Sequence, residues 1–134
     1  MKLKILVVMM MVAGVMVRAE DAKPAAPAAE VKLGDATKGK EIFEGRAVPA
    51  ANCTLCHGVA GKGDGIAGAA LPPPKPRDFT NKAEMDKITN AEILKAIPEG
   101  GAAIGKSIFM TPWKGILTDE QIKDVAAYIR TFAK

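Results

Sequence analysis

Cys53-Thr54-Leu55-Cys56-His57 is the stretch on which the reading of this chain turns. Two cysteines separated by two residues, with a histidine directly after, form the CxxCH pattern of covalent haem attachment. The spacing has a chemical reason. Two sulfurs form thioether bonds to the two vinyl groups of one porphyrin. A helical turn brings positions i and i+3 to one face, so both sulfurs reach one porphyrin edge. His57 then presents its imidazole to the iron. These are the only cysteines and the only histidine in 134 residues. A structural zinc site needs four ligands, and these three fall short. A redox CxxC belongs in a βαβ context, which the sequence does not show. A Cys53–Cys56 disulfide would close a very tight loop and leave His57 unexplained.

The chain after the motif supports a haem. Residues 58–81 carry Gly58, Gly61, Gly63, Gly65 and Gly68, then Pro72-Pro73-Pro74-Lys75-Pro76. They read as loop. A loop of 24 residues is unusual in a compact domain, unless it wraps something rigid that is not protein. Aromatic residues are only 4% of the chain, so a porphyrin would supply apolar surface that the side chains lack. The chain without haem is expected to fold poorly, because whatever binds only the native state stabilises it.

Helical signals flank these loops. Asp35 can cap a helix from Ala36 to about Arg46, with Ile42 and Phe43 as its apolar contribution and Pro49 ending it. Thr89-Asn90-Ala91-Glu92 fits a capping box, followed by Ile93, Leu94 and Ile97 at helical spacing. Pro98 and Gly100-Gly101 are expected to stop that helix. Residues 99–116 read again as loop. Thr118-Asp119-Glu120-Gln121 is a second capping box. It opens a last helix with Ile122, Val125, Ala126, Ile129 and Phe132 on one face. With no convincing strand, the fold class is all-α.

The N-terminus has the layout of a secretory signal peptide. Lys2 and Lys4 precede an apolar run from Ile5 to Val17, and Val17-Arg18-Ala19 offers a cleavage point. A run of 13 residues is short for a spanning helix, which needs roughly 20. Cleavage of residues 1–19 lowers the formal charge from +4 to +1, so nucleic-acid binding has no electrostatic support. It also removes five of seven methionines. Residues 20–34, with Lys23 to Glu30 rich in Pro and Ala, read as a flexible linker. Residues 35–134 then form one haem domain.

His57 being the sole histidine, a second protein ligand to the iron falls to Met85 or Met110. Met85 sits in Asn81-Lys82-Ala83-Glu84-Met85-Asp86-Lys87, a charged stretch expected to be exposed. Met110 sits in the apolar Ile108-Phe109-Met110-Thr111-Pro112-Trp113 and is favoured. The metal ligands are therefore expected to be His57 and Met110, and the cofactor-binding residues Cys53, Cys56, His57 and Met110.

On these residues the chain resembles a class I c-type cytochrome, a small bacterial monohaem protein, across residues 35–134. Gly39 and Phe43 resemble the glycine and aromatic of the family's N-terminal helix. Cys53 to Gly58 matches the attachment motif. Met110 with Pro112 and Trp113 is similar to the axial-methionine loop, although Thr111 separates methionine from proline here. Val125 to Ile129 resembles the C-terminal helix that crosses the first. The loops Gly61 to Gly65 and Pro74 to Phe79 are similar to those of bacterial members. The resemblance implies three to five helices around one haem c. It also implies a proline carbonyl accepting from the proximal imidazole, with Pro74 the first choice beside Pro72 and Pro73. Arg77, Lys75 and Trp113 are candidate partners of the haem propionates. Lys62, Lys106 and Lys114 are candidates to ring an exposed haem edge.

The function expected is a periplasmic one-electron carrier with His/Met ligation and no catalysis of its own. Its partners would be redox proteins, with no nucleic acid. It would be a monomer without a membrane span in the mature form, loosely membrane-associated only if the signal peptide stays. Two alternatives stand beside it: a dedicated cytochrome subunit of a periplasmic or respiratory oxidoreductase, and a gas-binding or peroxidatic haem protein.

Overall fold

The computed structural model describes residues 31–134. The expected signal peptide, and the linker up to residue 30, lie outside the described residues. Six α-helices follow in order: α1 (Ala36–Phe43), α2 (Thr54–His57), α3 (Ile66–Ala70), α4 (Lys82–Met85), α5 (Asn90–Glu99) and α6 (Asp119–Phe132). Short 3-10 turns cover Pro49–Ala51 and Gly101–Ile104. Among the described residues there is no β-strand, only an isolated bridge between Lys114 and Leu117. The all-α class holds. The helix number exceeds three to five because α2, α3 and α4 are single short turns, too brief to leave a periodic pattern in the sequence. No described helix is long and apolar enough to cross a membrane.

The caps behave as their residue types dictate. The Asp35 carboxylate accepts from the N–H groups of Thr37 (2.7 Å) and Lys38. Both capping boxes close reciprocally, Thr89 with Glu92 and Thr118 with Gln121. Each satisfies two donors that a helix start leaves unpaired. Helix α1 ends at Phe43, earlier than expected, where Arg46 and Ala47 fold their N–H groups back onto the Glu41 carbonyl. Helix α5 runs through Pro98 rather than stopping at it. Proline forfeits its own i→i−4 bond, but the Gly100 N–H still reaches the Ala96 carbonyl at 2.9 Å.

The terminal helices α1 and α6 cross at backbone contact. A Cβ on Gly39 would overlap the Asp124 carbonyl and stand 3.0 Å from Tyr128 Cβ. The buried Asp124 side chain accepts from the Asp35 N–H at 2.6 Å, so α6 caps the start of α1. The Gly34 N–H donates to the Lys123 carbonyl and Leu33 packs on the core. The chain is thus already docked at the end of the expected linker. Nothing in the sequence pattern singles out Asp124, a lone acid on an apolar face.

Phe43, fully buried, carries the crossing into the core. Its ring centroid lies 5.3 Å from Tyr128, 5.6 Å from Phe132 and 6.4 Å from Phe79. Four of the chain's six aromatic side chains thus form one cluster, at the separations where edge-to-face contacts are favourable. On the far side of α6, Arg130 donates to Asn90 Oδ1 (2.8 Å), the Met85 carbonyl (2.9 Å) and the Ile88 carbonyl. One guanidinium therefore fastens the corner between α4 and α5 to the last helix. This corrects the reading of Met85 as exposed. It is 1% accessible, because its charged neighbours point outward over a single turn while its own side chain points in.

Replacing Gly39 by alanine is expected to destabilise the holoprotein by about 1–3 kcal/mol, the usual cost of overpacking a tight contact. Urea denaturation would measure this, and an unchanged midpoint would mean that α1 and α6 can part at this point without penalty.

Candidate haem site

Helix α2 is one turn long, and its residues are placed by local bonds. Asn52 Oδ1 accepts from the Thr54 N–H (3.1 Å) and the Thr54 hydroxyl (2.6 Å), closing the turn's entry. The N–H groups of Cys56 and His57 both donate to the Cys53 carbonyl. Cys53, Cys56 and His57 thereby line one wall of a single cavity of about 410 Å³. Neither cysteine is in a disulfide. Helix α3 presses directly on α2: a Cβ on Gly65 would run into the Thr54 and Leu55 carbonyls, and one on Gly68 into the Cys56 carbonyl. Gly65 and Gly68 therefore serve close backbone packing, while Gly58, Gly61 and Gly63 supply turns of positive φ. This segment, expected to be structureless, contains α3 and holds α2 from behind.

The imidazole of His57 stacks on Phe79, with centroids 4.5 Å apart and planes 19° apart. Burial pushes its pKa down to about 4, since a charged ring would lose its hydration. The ring is therefore neutral at pH 7, the form that ligates a metal. Its Nδ1 is buried without a partner in hydrogen-bonding geometry. The neighbouring backbone that favours its protonated form is at Arg77. Burial also pushes the Cys53 thiol up to about 12, with the adjacent Cys56 adding to the rise. Cys53 is thus a protonated thiol at neutral pH.

The remaining walls come from α4, α5, α6 and the segment before α6. Met85, Ile93, Ile97, Met110, Trp113 and Val125 all line the cavity. The segment bearing Met110 hangs from the end of α5: the Trp113 N–H donates to the Ile97 carbonyl and the Lys114 N–H to the Pro98 carbonyl, each at 3.1 Å. These are carbonyls that a helix C-terminus leaves unpaired. The structure therefore brings all four sequence-predicted residues, Cys53, Cys56, His57 and Met110, to one cavity, and adds Met85 beside them. Of the two methionines, Met85 is locked in the core with its carbonyl on Arg130. Met110 is half-buried on a loop.

The charged candidates divide. Lys75 lines the cavity, but its Nζ donates to the Ala69 (2.8 Å) and Leu71 carbonyls, capping the end of α3. Arg77 pairs with Glu84 at 3.8 Å, and both line the cavity together with Lys106. Lys62 and Lys114 are not among the cavity-lining residues.

These features fit a haem. The cavity is mainly apolar, within the range of about 300–1,000 Å³ usual for cofactor pockets. It holds two unpaired thiols at the attachment spacing and a buried imidazole with an orphaned nitrogen. Among the described residues no group of three or more His, Cys, Asp or Glu could hold a metal ion directly.

Residues 36–133 match the Cytochrome c family. The chain belongs to the cytochrome c family. As in that family, the cofactor is covalent haem c, with Cys53 and Cys56 at the CxxCH spacing. The cytochrome is 31% identical over 97 residues to the Cbb3-type cytochrome c oxidase subunit FixP of Bradyrhizobium diazoefficiens, a match covering 72% of this chain and 27% of that protein. It thus spans about a quarter of the length of that curated relative. Among solved structures it is similar to the KustC0563 c-type cytochrome, with TM-score 0.53 and 25% identity over 72% of this chain and 98% of that one. A chain of the Kuenenia stuttgartiensis reducing HAO-like protein complex Kustc0457/Kustc0458 shares the fold, with TM-score 0.57 and 22% identity over 84% and 48% of the two chains.

Withholding haem is expected to lower the helical signal of this cytochrome in far-UV circular dichroism. An apolar cavity of about 410 Å³ leaves its lining without contacts on one side. Undiminished helicity would mean that the protein core suffices alone. In the holoprotein, replacing both Cys53 and Cys56 by alanine should allow haem to be extracted by acid and organic solvent, which the wild type resists.

Proposed function

We propose that this cytochrome is an exported, periplasmic one-electron carrier in which His57 and Met110 ligate the iron of one haem c held by Cys53 and Cys56. The observation that carries the reading is that these four side chains line one cavity in a chain with a single histidine. Haem supplies a metal that changes oxidation state by one electron. The protein's own residues do the rest. Phe79 holds the imidazole by stacking, and the Arg77 backbone lies beside the ring. Met85, Ile93, Ile97 and Val125 give the cavity apolar walls. Histidine and methionine together raise the potential relative to two histidines and suit electron transfer. No nucleophile or acid–base pair is required. The basic start and apolar run of residues 2–17 support export, which agrees with extracytoplasmic haem attachment.

A second reading, a dedicated cytochrome subunit of a respiratory oxidoreductase, is favoured by the likeness to FixP, itself named an oxidase subunit. Its chemistry at the haem is the same. Co-purification with one oxidoreductase in fixed proportion would select it over a freely diffusing carrier.

The ligand assignment is tested by the ferric far-red absorption band of methionine–iron ligation. Met110→Ala is expected to abolish the band, and Met85→Leu, nearly equal in volume, to retain it. A band that survives Met110→Ala and vanishes in Met85→Leu would move the ligand to Met85. A high-spin wild type without the band would favour the gas-binding or peroxidatic reading. Fractionation of the producing cell checks the location: the haem-stained protein should appear with the periplasmic contents.

A further inference from the structure

The chain leaves α5 through two consecutive glycines that face the Met110 segment. Gly100 has φ +83°, a conformation that glycine adopts without strain, and it ends α5. Gly101 is different. Its φ lies outside the left-handed region, so its backbone would accept any residue. Yet a Cβ there would overlap the Ser107 carbonyl and stand 3.0 Å from Met110 Cβ. Both main-chain groups of Gly101 are also engaged. Its N–H donates to the Met110 carbonyl (3.3 Å), and its carbonyl accepts from the Lys106 N–H (2.9 Å). The Met110 N–H in turn donates to the Ser107 carbonyl at 3.3 Å. Residues 101–110 therefore close into a ring of main-chain bonds with Gly101 at its base and Met110 at its lip.

Two other glycines of the region have the opposite pattern. Gly105 (φ +67°) and Gly115 (φ +85°) are in the left-handed conformation, but a Cβ on either meets nothing within 4 Å. A side chain there strains its own backbone and displaces no neighbour.

We propose that Gly101 is the positioning residue for the Met110 ligand, its missing side chain being what allows the Ser107–Met110 segment to close over the cavity. The inference rests on Met110 being the distal ligand. The atoms that a Gly101 side chain would meet are a main-chain carbonyl and a Cβ. Neither can move aside by rotating a side chain, so relief requires the backbone of the Ser107–Met110 segment or of Gly101 to shift, and the main-chain bond between Gly101 and Met110 couples the two. A thioether bound to iron tolerates little displacement, although methionine's three rotatable bonds absorb some of it. The effect should therefore grow with side-chain size.

The test uses the exported holoprotein. Gly101→Ala is expected to weaken the far-red band, and Gly101→Val to abolish it. The ferrous Gly101→Val protein should bind CO at neutral pH under conditions where wild type binds none. Gly105→Ala and Gly115→Ala are expected to lower the melting temperature through backbone strain while keeping the band at wild-type intensity. A merely structural role for Gly101 would move the melting temperature alone. If Gly101→Val does not mature, Gly101→Ala carries the test. A wild-type band in Gly101→Ala and no CO binding overturn the proposal. So does equal loss of the band in Gly105→Ala and Gly115→Ala. Failure of the underlying ligand reading is separate and visible, because Met110→Ala would then keep its band whatever Gly101 does.

Discussion

The backbone contact of α1 with α6 at Gly39 and Asp124 is the constraint from which the rest of the molecule follows. Because no side chain stands between the two helices, Phe43 can reach across to Tyr128 and Phe132. That cluster reaches Phe79, and Phe79 stacks on His57. A chain with only six aromatic residues uses four of them to connect its terminal helices to one imidazole. The haem wall is thus coupled to the helix crossing through contiguous ring contacts, and Asp124 secures the crossing by capping α1.

The site combines groups that are costly to bury with a ligand that makes their burial favourable. An imidazole with an unpaired nitrogen and a buried thiol disfavour an apolar cavity. The shifts of His57 down to about 4 and of Cys53 up to about 12 express that cost, since both groups are held neutral by desolvation. Thioether formation consumes the Cys53 thiol, and a neutral imidazole is the form that would ligate iron. The two sides of the cavity are built differently. The attachment side is a helical turn braced by α3 at main-chain contact. The Met110 side is a loop suspended from the last carbonyls of α5 and drawn in at Gly101. Such a loop holds its methionine by few bonds, so small changes in its backbone reach Met110.

Much of the frame is legible in the amino-acid sequence. Asp35, Thr89 and Thr118 cap the expected helices because a short oxygen-bearing side chain can reach an amide two or three residues on, whatever surrounds it. The CxxCH turn is equally local. The readings that need correction depend on distant partners. Met85 reads as exposed because its neighbours are charged, but Arg130, 45 positions along the chain, draws its turn inward. Residues 58–81 read as structureless because glycine and proline disfavour regular structure. Gly65 and Gly68 instead allow α3 to lie against α2. Pro98 reads as a helix stop, yet the carbonyls at and before it find donors at Lys114 and Trp113.

Family, covalent haem, all-α class and helix starts all follow from residues within a few positions of one another, so the order of amino acids is enough to specify them. Three other features come from the folded arrangement: which methionine sits on a loop and which in the core, why a side chain at residue 101 would clash, and why residue 124 is an aspartate. Each arises where segments far apart along the chain meet at main-chain distance, and a pattern of residue types carries no record of such meetings.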